Sequence, residues 1–315
     1  MTTLLLPSSM SDEPVVPDGV HVVRYDVAEP LPDDALDAEA LVVWGNGHGQ
    51  LSDAARRLTR LRWVQTLAAG PDSVLAAGFA PDVVITSGRG LHDGPVAEHT
   101  LALLLALARR LPDCVRAQDE HRWADDLGGM QEFRPGLEFR SLAEARVLIW
   151  GFGSIAGRLA PLLTALGAEV QGVARTAGTR HGYPVLSTFD LPDALPHTDV
   201  LVSLLPATPQ NTRVVDGPVF ELLPDHAFVV NVGRGAVLDE DALLSAIRHG
   251  RIAGAALDVF DTEPLPADSP LWTEPRILVT PHAAGGRPLG AGELVTENLL
   301  ALLSGAEQRN VVPRA

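Results

Sequence analysis

The sequence contains no lysine, so all 24 residues of the lysine and arginine class are arginine. Schiff-base catalysis and the Walker-type phosphate loop both depend on a lysine, and both are therefore excluded. Cysteine is almost absent as well. The single Cys114 excludes an intramolecular disulfide and a cysteine zinc cluster, and it fits a reducing compartment. We predict no metal site.

Long apolar runs are also missing. The longest, TLALLLALA from Thr100 to Ala108, is far shorter than the roughly 20 residues that a membrane helix needs. The first residues lack the basic segment and the apolar core of a signal peptide. The formal net charge of −16 opposes binding to nucleic acid or to an anionic membrane. We therefore expect a cytoplasmic protein without nucleic-acid or membrane partners.

The sequence does contain short β-branched runs that alternate with helical patterns. The first third carries TLLLP, HVVRYD, ALVVWG, WVQTLA and DVVITSG, and the second half carries ARVLIWG, AEVQGVAR, TDVLVSLLP, AFVVNVG, GAALDVF and RILVTPH. This alternation predicts parallel βαβ units, and the six later strands suit a doubly wound sheet. Between the two series we expect a long connecting helix over 94–111 and an irregular polar stretch over 118–140.

The predicted fold is α/β, with two Rossmann-like or flavodoxin-like domains built on parallel sheets and a cofactor cleft between them. A chain of 315 residues with 46% hydrophobic content can bury two such cores. We assign residues 1–93 and 289–315 to a discontinuous substrate-binding domain, since the last helix is expected to pack back on the first. Residues 94–288 form the dinucleotide-binding Rossmann domain.

The segment VLIWGFGSIAGRLA has the pattern of a dinucleotide fingerprint between a strand and a helix. Gly151 permits the tight turn, and Gly153 lets the backbone approach a pyrophosphate at the helix N-terminus. Ala156 stands at the third glycine position, which the pattern tolerates. The alternative is an ordinary strand-to-helix turn, which the five further strands disfavour.

The end of the second strand of this domain bears on cofactor preference. NAD-preferring sites carry an acidic residue there, but this sequence has Ala174, followed by Arg175 and Thr176. Without the carboxylate a 2′-phosphate is not repelled, and Arg175 could bind it through a charge-assisted fork. We therefore predict that NADP is preferred over NAD. The alternative is that Arg175 is a solvated loop residue or stacks on adenine.

Three later strand ends carry functional side chains. Arg234 follows the fourth strand, Asp258 and Glu263 follow the fifth, and His282 follows the sixth. Taken alone, Arg234 is most simply an ion-pair partner, Glu263 a loop acid and His282 a boundary histidine. Together they meet the needs of hydride reduction of a 2-keto acid, which requires a cation for the substrate carboxylate and a proton donor for the alkoxide. Asp239 is expected only to cap the helix that follows it.

The ordered motifs GFGSIAG, LLPATPQNT, NVGRGAVLDEDAL, ALDVFDTEPLP and VTPHAAGG resemble the D-isomer-specific 2-hydroxyacid dehydrogenases, as do VQTLAAGPDSV and PVAEHTLALLLALARRL upstream. The resemblance implies that Arg234, Glu263 and His282 are catalytic and that Asp258 is an auxiliary carboxylate. It also implies that the backbone at Ala69 and Gly70 binds the substrate carboxylate, and that the protein is a homodimer.

One residue departs from the family pattern, and another indicates a branch of the family. Glu144 stands where a glycine usually opens the cofactor domain. The absence of an acidic residue at Ala174 resembles the NADP-using glyoxylate and hydroxypyruvate reductase branch. Substrate contacts are expected from Ala69, Gly70, Arg234 and His282. The expected cofactor contacts are Gly151, Gly153, Ser154, Ile155, Ala174, Arg175, Thr176, Leu205, Pro206, Thr212, Val232, Gly233, Asp258 and Gly285.

The predicted activity is hydride transfer between NAD(P)H and a small 2-keto acid, with His282 as acid or base, Glu263 as its partner and Arg234 as the carboxylate clamp. Two alternatives remain open. One is an NAD(H)-binding regulator of the corepressor type, which binds the dinucleotide without turnover. The other is a formate dehydrogenase, although that class pairs its histidine with an amide where this sequence has Glu263.

Overall fold

The computed structural model describes residues 2–128, 133–134 and 136–314; part of the polar stretch predicted over 118–140 therefore lies outside the described residues. The chain forms two compact units. The first comprises Met1–His92 and Arg287–Ala315, and the second comprises Asp93–Gly286.

The first unit is a parallel sheet with helices on both faces. Its strands are β1 (Thr2–Pro7), β2 (Val20–Tyr25), β3 (Ala40–Val43), β4 (Trp63–Thr66) and β5 (Val84–Thr86), and its helices are α1 (His48–Arg57), α2 (Asp72–Ala76) and α9 (Ala291–Ser304). The strand order is β2-β1-β3-β4-β5, with every pairing parallel. This is the flavodoxin-like order of a doubly wound sheet.

Strand β1 illustrates why these strands read as continuous apolar runs. Leu5 packs into a core with α1, whereas Leu4 and Leu6 pack into a second core with α9. Successive side chains of a strand point to opposite faces, so a strand covered on both faces must be apolar at every position. The C-terminal helix is tied to the sheet by Asn298, whose Nδ2 donates to Gln65 Oε1 over 2.8 Å.

The second unit begins with α3 (Asp93–Ala108) and α4 (Leu111–Asp119). Its strands are β6 (Arg146–Trp150), β7 (Glu169–Ala174), β8 (Gly178–Arg180), β9 (Tyr183–Ser187), β10 (Val200–Ser203), β11 (Phe228–Asn231), β12 (Gly254–Leu257) and β13 (Ile277–Val279). Its other helices are α5 (Ser154–Ala165), α6 (Leu191–Ala194), α7 (Gly217–Leu222) and α8 (Glu240–Arg248). Short 3-10 helices lie at Asp33–Ala35 in the first unit and at Leu195–His197, Pro209–Asn211, Gly235–Val237 and Pro270–Thr273 in the second.

The sheet of the second unit has the order β13-β12-β11-β10-β6-β7-β9-β8. All pairings are parallel except β8 with β9. The predicted α/β class with parallel sheets is thus confirmed. The prediction of six strands for this sheet was incomplete. It missed β8 because Gly178–Arg180 is polar and largely exposed, and β9 because Pro184 interrupts a short run.

Two helix predictions can be compared with the structure. The long helix predicted over 94–111 ends at Ala108, and Arg110 adopts a left-handed conformation with φ 51° before α4 begins. Pro112 fits only in the first turn of a new helix, so the chain turns at Arg110. The capping role of Asp239 is confirmed, since its Oδ1 accepts from the Ala242 amide over 3.0 Å.

A buried ion pair holds the amino edge of the second sheet. Asp199 is 3% exposed and accepts from Arg146 Nη2 over 2.7 Å, and it lies 2.7 Å from His226 Nε2. Burial by itself would raise the pKa of Asp199, but the hydrogen bonds from Arg146 and His226 outweigh it and hold that pKa below its usual value.

Within the described ranges, no helix is long and apolar enough to cross a membrane. Cys114 lies exposed on α4 as a free thiol.

Glu144 occupies a strained backbone position directly before β6. Its φ is +60°, and its amide donates to the Gly167 carbonyl over 2.8 Å. The left-handed region costs a residue with a side chain about 1–2 kcal/mol, whereas glycine enters it freely. A glycine at this position is therefore favoured by geometry, which accounts for the family pattern from which Glu144 departs.

We expect Glu144→Gly to raise the free energy of unfolding by about 0.5–1 kcal/mol, because relief of the left-handed strain outweighs the greater entropy of glycine in the unfolded chain. Urea denaturation of the purified protein measures the change. Glu144→Ala is the matched control, since it removes the carboxylate and keeps the Cβ. Equal gains from both variants would assign the effect to charge and contradict the backbone explanation.

Candidate active site

The carboxyl ends of three adjacent strands carry the predicted catalytic residues. Arg234 follows β11, Glu263 follows β12 and His282 follows β13, and these strands pair side by side. In open α/β sheets, ligands bind beyond the carboxyl ends of the strands. The second unit therefore carries all three side chains at its ligand-binding edge.

The structure brings Glu263 and His282 into direct contact. His282 Nδ1 lies 2.6 Å from Glu263 Oε2, and the other carboxylate oxygen accepts from the Phe260 amide over 2.9 Å. Because a carboxylate only accepts, Nδ1 carries the proton of this hydrogen bond and Nε2 remains for a reacting group. The His282 side chain is 48% exposed, so an incoming molecule can reach it.

Asp258 organises the turn that carries His282. Its fully buried carboxylate accepts from Thr280 Oγ1 over 2.6 Å, from the Ala283 amide over 2.8 Å and from the Ala284 amide over 3.1 Å. The His282 amide donates to the Asp258 carbonyl over 2.8 Å. His282 has a φ of +51°, a conformation that costs about 1–2 kcal/mol and needs such bonds to persist. Asp258 was predicted to contact the cofactor, and its carboxylate is directed into this turn.

The loop that carries Glu263 is anchored from α8. The Asp261 amide donates to Glu240 Oε1 over 2.8 Å. Burial raises the pKa of Glu240 above its usual value. The Phe260 amide donates to Glu263 and the Asp261 amide donates to Glu240, so two successive amides of the loop are held. These bonds limit the freedom of the Glu263 carboxylate.

The Arg234 loop is packed against the same segment. Asn231 holds the loop at both ends, because its Oδ1 accepts from the Gly233 amide over 3.2 Å and its Nδ2 donates to the Arg234 carbonyl over 3.1 Å. Arg234 Nη1 donates to the Gly233 carbonyl over 2.8 Å. A Cβ added to Gly235 would lie only 1.8 Å from the Phe260 carbonyl carbon. The cationic loop and the acidic loop are thus in backbone contact.

The fingerprint residues fit the pyrophosphate of a dinucleotide. Gly151 has a φ of +100°, and a Cβ added to it would lie 2.8 Å from the Leu204 carbonyl carbon, so only glycine fits there. A Cβ on Gly153 would meet nothing within 4 Å, which leaves open space at the N-terminus of α5. Anionic groups bind at such helix ends. Ser154 Oγ donates to Asp93 Oδ1 over 3.0 Å, and Ile155 is half-buried in the first turn.

The residues predicted to bind the ribose end of the cofactor lie on an exposed turn. Ala174 ends β7, and the exposed residues Arg175 and Thr176 follow it. Arg180 Nη2 donates to Thr176 Oγ1 over 3.0 Å. The His181 ring packs against Gly157 of α5, which brings this turn beside the fingerprint helix. No carboxylate occupies position 174, as a 2′-phosphate requires.

Two further loops close the cofactor side of the sheet. A Cβ on Gly233 would lie 2.7 Å from the Leu205 carbonyl oxygen, so the loops after β10 and β11 touch. Thr212 Oγ1 donates to the Thr208 carbonyl over 3.2 Å. Leu205 and Val232 are buried, and Gly285 is half-buried. The loop beyond Leu205 continues through Pro206.

In the first unit, the predicted carboxylate-binding loop follows β4. The Ala68 amide donates to Thr66 Oγ1 over 3.2 Å, and the Ala68 carbonyl accepts from the Gly88 amide over 2.8 Å. Ala69 and Gly70 are half-buried. His92 Nε2 lies 2.7 Å from the Leu67 carbonyl oxygen. Sequence reasoning missed His92, since nothing in its local pattern relates it to this loop.

Among the residues with described positions, no group of three histidine, cysteine or acidic side chains could hold a metal ion.

We expect Gly235→Ala to lower the free energy of unfolding by about 1–3 kcal/mol, because the new methyl group must displace the Phe260 backbone. Urea denaturation measures the loss. Gly217→Ala is the control in the same unit, since a Cβ there meets nothing within 4 Å. Equal stability of Gly235→Ala and the wild type would mean that the two loops are not packed as described.

Comparisons with known proteins identify the family of the chain. Residues 101–284 match the family model for the NAD-binding domain of D-isomer-specific 2-hydroxyacid dehydrogenases. Glyoxylate/hydroxypyruvate reductase A of Serratia proteamaculans is 32% identical over 290 residues, which cover 89% of this chain and 88% of that protein. The same enzyme of Salmonella newport is 32% identical over 271 residues, or 81% of each chain.

Solved structures agree over nearly the whole chain. A D-isomer-specific 2-hydroxyacid dehydrogenase from Xanthobacter autotrophicus Py2, solved with NADPH and MES, is 30% identical with a TM-score of 0.81, covering 99% of this chain and 98% of that one. An NADPH-dependent glyoxylate/hydroxypyruvate reductase from Sinorhizobium meliloti, solved with NADP and sulfate, is 25% identical with a TM-score of 0.82 and the same coverage. The resemblance inferred from the motifs is confirmed. The chain therefore belongs to the D-isomer-specific 2-hydroxyacid dehydrogenase family.

Proposed function

We propose that the protein uses NADPH to reduce a small 2-keto acid, such as glyoxylate or hydroxypyruvate, to the corresponding 2-hydroxy acid. The observation that carries this proposal is the 2.6 Å contact between His282 and Glu263 at the ligand-binding edge of a sheet that also carries the dinucleotide fingerprint. The names of the relatives from Serratia and Sinorhizobium support the substrate class.

In the proposed reaction, the fingerprint turn with Gly151 and Gly153 would hold NADPH, which would supply the hydride for the carbonyl carbon. His282 donates a proton to the carbonyl oxygen, so the double bond becomes an alcohol without a free alkoxide. Glu263 accepts the hydrogen bond from Nδ1, which orients the ring and leaves Nε2 facing the substrate. Arg234 binds the substrate carboxylate and polarises the carbonyl. In the reverse direction His282 accepts the proton.

The preference for NADP rests on the turn after β7. Ala174 offers no carboxylate to repel a 2′-phosphate, and the exposed Arg175 and Thr176 follow it beside the fingerprint helix. Arginine suits phosphate because its planar fork donates two parallel hydrogen bonds. The NADPH and NADP complexes of the relatives support this choice.

We expect kcat/KM to be clearly higher with NADPH than with NADH. A hydrogen bond to a charged group is worth about 1.5–3 kcal/mol, so Arg175→Ala should lower kcat/KM for NADPH by roughly 10- to 100-fold. The value for NADH should change little. Arg251→Ala is the control, because Arg251 is also exposed but precedes β12 at the opposite edge of the sheet. A wild-type preference for NADH would refute the assignment.

We expect His282→Ala to lower kcat for keto-acid reduction by about 100- to 10,000-fold, the usual contribution of a positioned acid. Glu263→Ala should lower kcat by about 10- to 100-fold, because the His282 ring loses the hydrogen bond that orients it, whereas Glu263→Gln keeps an acceptor for Nδ1 and should lose less. Absorbance at 340 nm gives all three rates. A Glu263→Ala enzyme with the wild-type kcat would contradict the role of Glu263.

Neither alternative function is favoured. The relatives reported above are reductases and dehydrogenases, which argues against a regulator that only binds the dinucleotide. The partner of His282 is the carboxylate of Glu263, whereas formate dehydrogenases use an amide. Turnover of glyoxylate or hydroxypyruvate with NADPH separates the three functions directly.

A homodimer formed through α3 and a cytoplasmic location are further parts of the proposal. Leu105 on α3 is 37% exposed, and Leu111 and Val115 on α4 are 49% and 55% exposed. Exposed apolar side chains on neighbouring helices support a surface that a partner covers.

A further inference from the structure

His99 on α3 contacts the turn that carries His282, although 181 residues separate it from Thr280. His99 Nε2 lies 3.0 Å from Thr280 Oγ1 and 3.3 Å from Asp258 Oδ1. The His99 side chain is 22% exposed and the Asp258 side chain is 1% exposed. The contact is therefore largely shielded from water. In such a low-dielectric environment hydrogen bonds are strong and their loss is costly.

The direction of these hydrogen bonds follows from the donor inventory. A hydroxyl group has one proton, and Thr280 gives it to the Asp258 carboxylate over 2.6 Å, since a carboxylate only accepts. Thr280 Oγ1 can then only accept from His99. His99 Nε2 therefore carries a proton, which it donates to the Thr280 hydroxyl and directs toward Asp258.

Asp258 transmits this arrangement to His282. Its carboxylate accepts from the Ala283 and Ala284 amides, and its carbonyl accepts from the His282 amide. These three successive amides hold His282 at a φ of +51°. If the carboxylate rotates, the turn loses two of the three bonds, and His282 can relax to a negative φ that directs its ring away from Glu263.

We propose that His99 is a positioning residue for His282, acting through the hydrogen bonds from His99 to Thr280 and from Thr280 to Asp258. The proposal rests on the proposed function, because it takes His282 as the proton donor. His99 itself does not exchange a proton with the substrate. Its donor fixes the Thr280 hydroxyl, which in turn fixes the carboxylate that holds the turn.

A second histidine in the same unit provides a comparison. His226 Nε2 lies 2.7 Å from the buried Asp199, and its side chain is 11% exposed. Asp199 precedes β10, at the amino edge of the sheet, whereas Asp258 follows β12, at the carboxyl edge. Both histidines contribute to packing and pair with a buried carboxylate, but only His99 is connected to the turn of His282.

The experiment compares His99→Phe, which keeps a ring without a donor, with His99→Gln, which keeps a side-chain N–H donor. His226→Phe is the matched control. Each variant is assayed for kcat and KM with glyoxylate and NADPH, for NADPH Kd by fluorescence, and for Tm. Because a displacement of about 1 Å at a reacting group can cost 100-fold, we expect His99→Phe to lower kcat by roughly 10- to 100-fold. NADPH Kd should remain within about twofold, since uniform binding is untouched.

The conservative and control variants separate positioning from stability. We expect His99→Gln to restore most of kcat, and His226→Phe to lower Tm while leaving kcat near the wild-type value. A His99→Phe enzyme with wild-type kcat would overturn the proposal. So would a His99→Gln enzyme as slow as His99→Phe, or a His226→Phe enzyme slowed to the same degree.

Thr280 provides a second test that does not depend on the folding of a histidine variant. Thr280→Val removes the hydroxyl and should lower kcat, whereas Thr280→Ser keeps it and should not. Residues that act in one network are not additive, so the double variant His99→Phe/Thr280→Val should lose no more than the worse single variant. Additive losses, or equal rates for Thr280→Val and Thr280→Ser, would contradict the network.

His282→Ala, assayed in parallel, distinguishes failure of this inference from failure of the proposed function. If His282→Ala keeps the wild-type rate, His282 is not the acid and the proposed function fails. If His282→Ala is inactive while His99→Phe has wild-type kcat, the proposed function stands and only the positioning role of His99 is lost.

Discussion

The hydrogen bonds between Asp258 and the turn over 280–284 are the constraint on which the candidate active site depends. A buried carboxylate is stable only when its oxygens are matched by donors, and here a hydroxyl and two backbone amides match them. The same bonds hold His282 in a left-handed conformation that an isolated chain avoids. The same hydrogen bonds thus satisfy the buried carboxylate and stabilise the strained backbone of His282. The His282 imidazole is thereby directed at Glu263.

Backbone contact between loops supplies the rest of the geometry. Gly235 approaches Phe260 and Gly233 approaches Leu205 so closely that no Cβ fits between them. Side chains on surface loops normally vary in position, but loops in van der Waals contact move together. Arg234 and Glu263 are therefore set relative to each other by main-chain packing in the second unit. The proposed chemistry needs a cation and an acid, and this packing allows residues from separate loops to supply them.

Much of this arrangement could be predicted from sequence, and the exceptions have physical causes. The apolar runs predicted eleven parallel strands and the α5 fingerprint turn, because strands covered on both faces must be apolar throughout. Strands β8 and β9 escaped prediction, since β8 is polar and exposed and Pro184 interrupts β9. The end of α3 at Ala108 depends on how Pro112 starts the next helix.

Long-range side-chain contacts are harder to foresee than elements. Glu263 and His282 could be paired in advance because the motifs place both at strand ends. His99 offered no such signal, since one histidine within a long helix gives no indication of which turn it faces. The bond between Ser154 and Asp93 was missed for the same reason. Local patterns specify strands and turns, whereas the partner of a polar side chain depends on how elements pack.

The charge of the chain sets a last condition on the proposed chemistry. Both NADPH and a keto acid are anionic, yet the protein carries a formal net charge of −16. Screening at physiological ionic strength reduces repulsion beyond roughly 8 Å, so binding depends on positive groups close to each anion. Such groups are the N-terminus of α5, Arg175 and Arg234, with no lysine to assist them. Arginine forks bind planar carboxylate and phosphate oxygens in fixed directions. An acidic surface of this kind therefore leaves recognition to a few oriented contacts, and the orientation of those contacts depends on the loop packing described above.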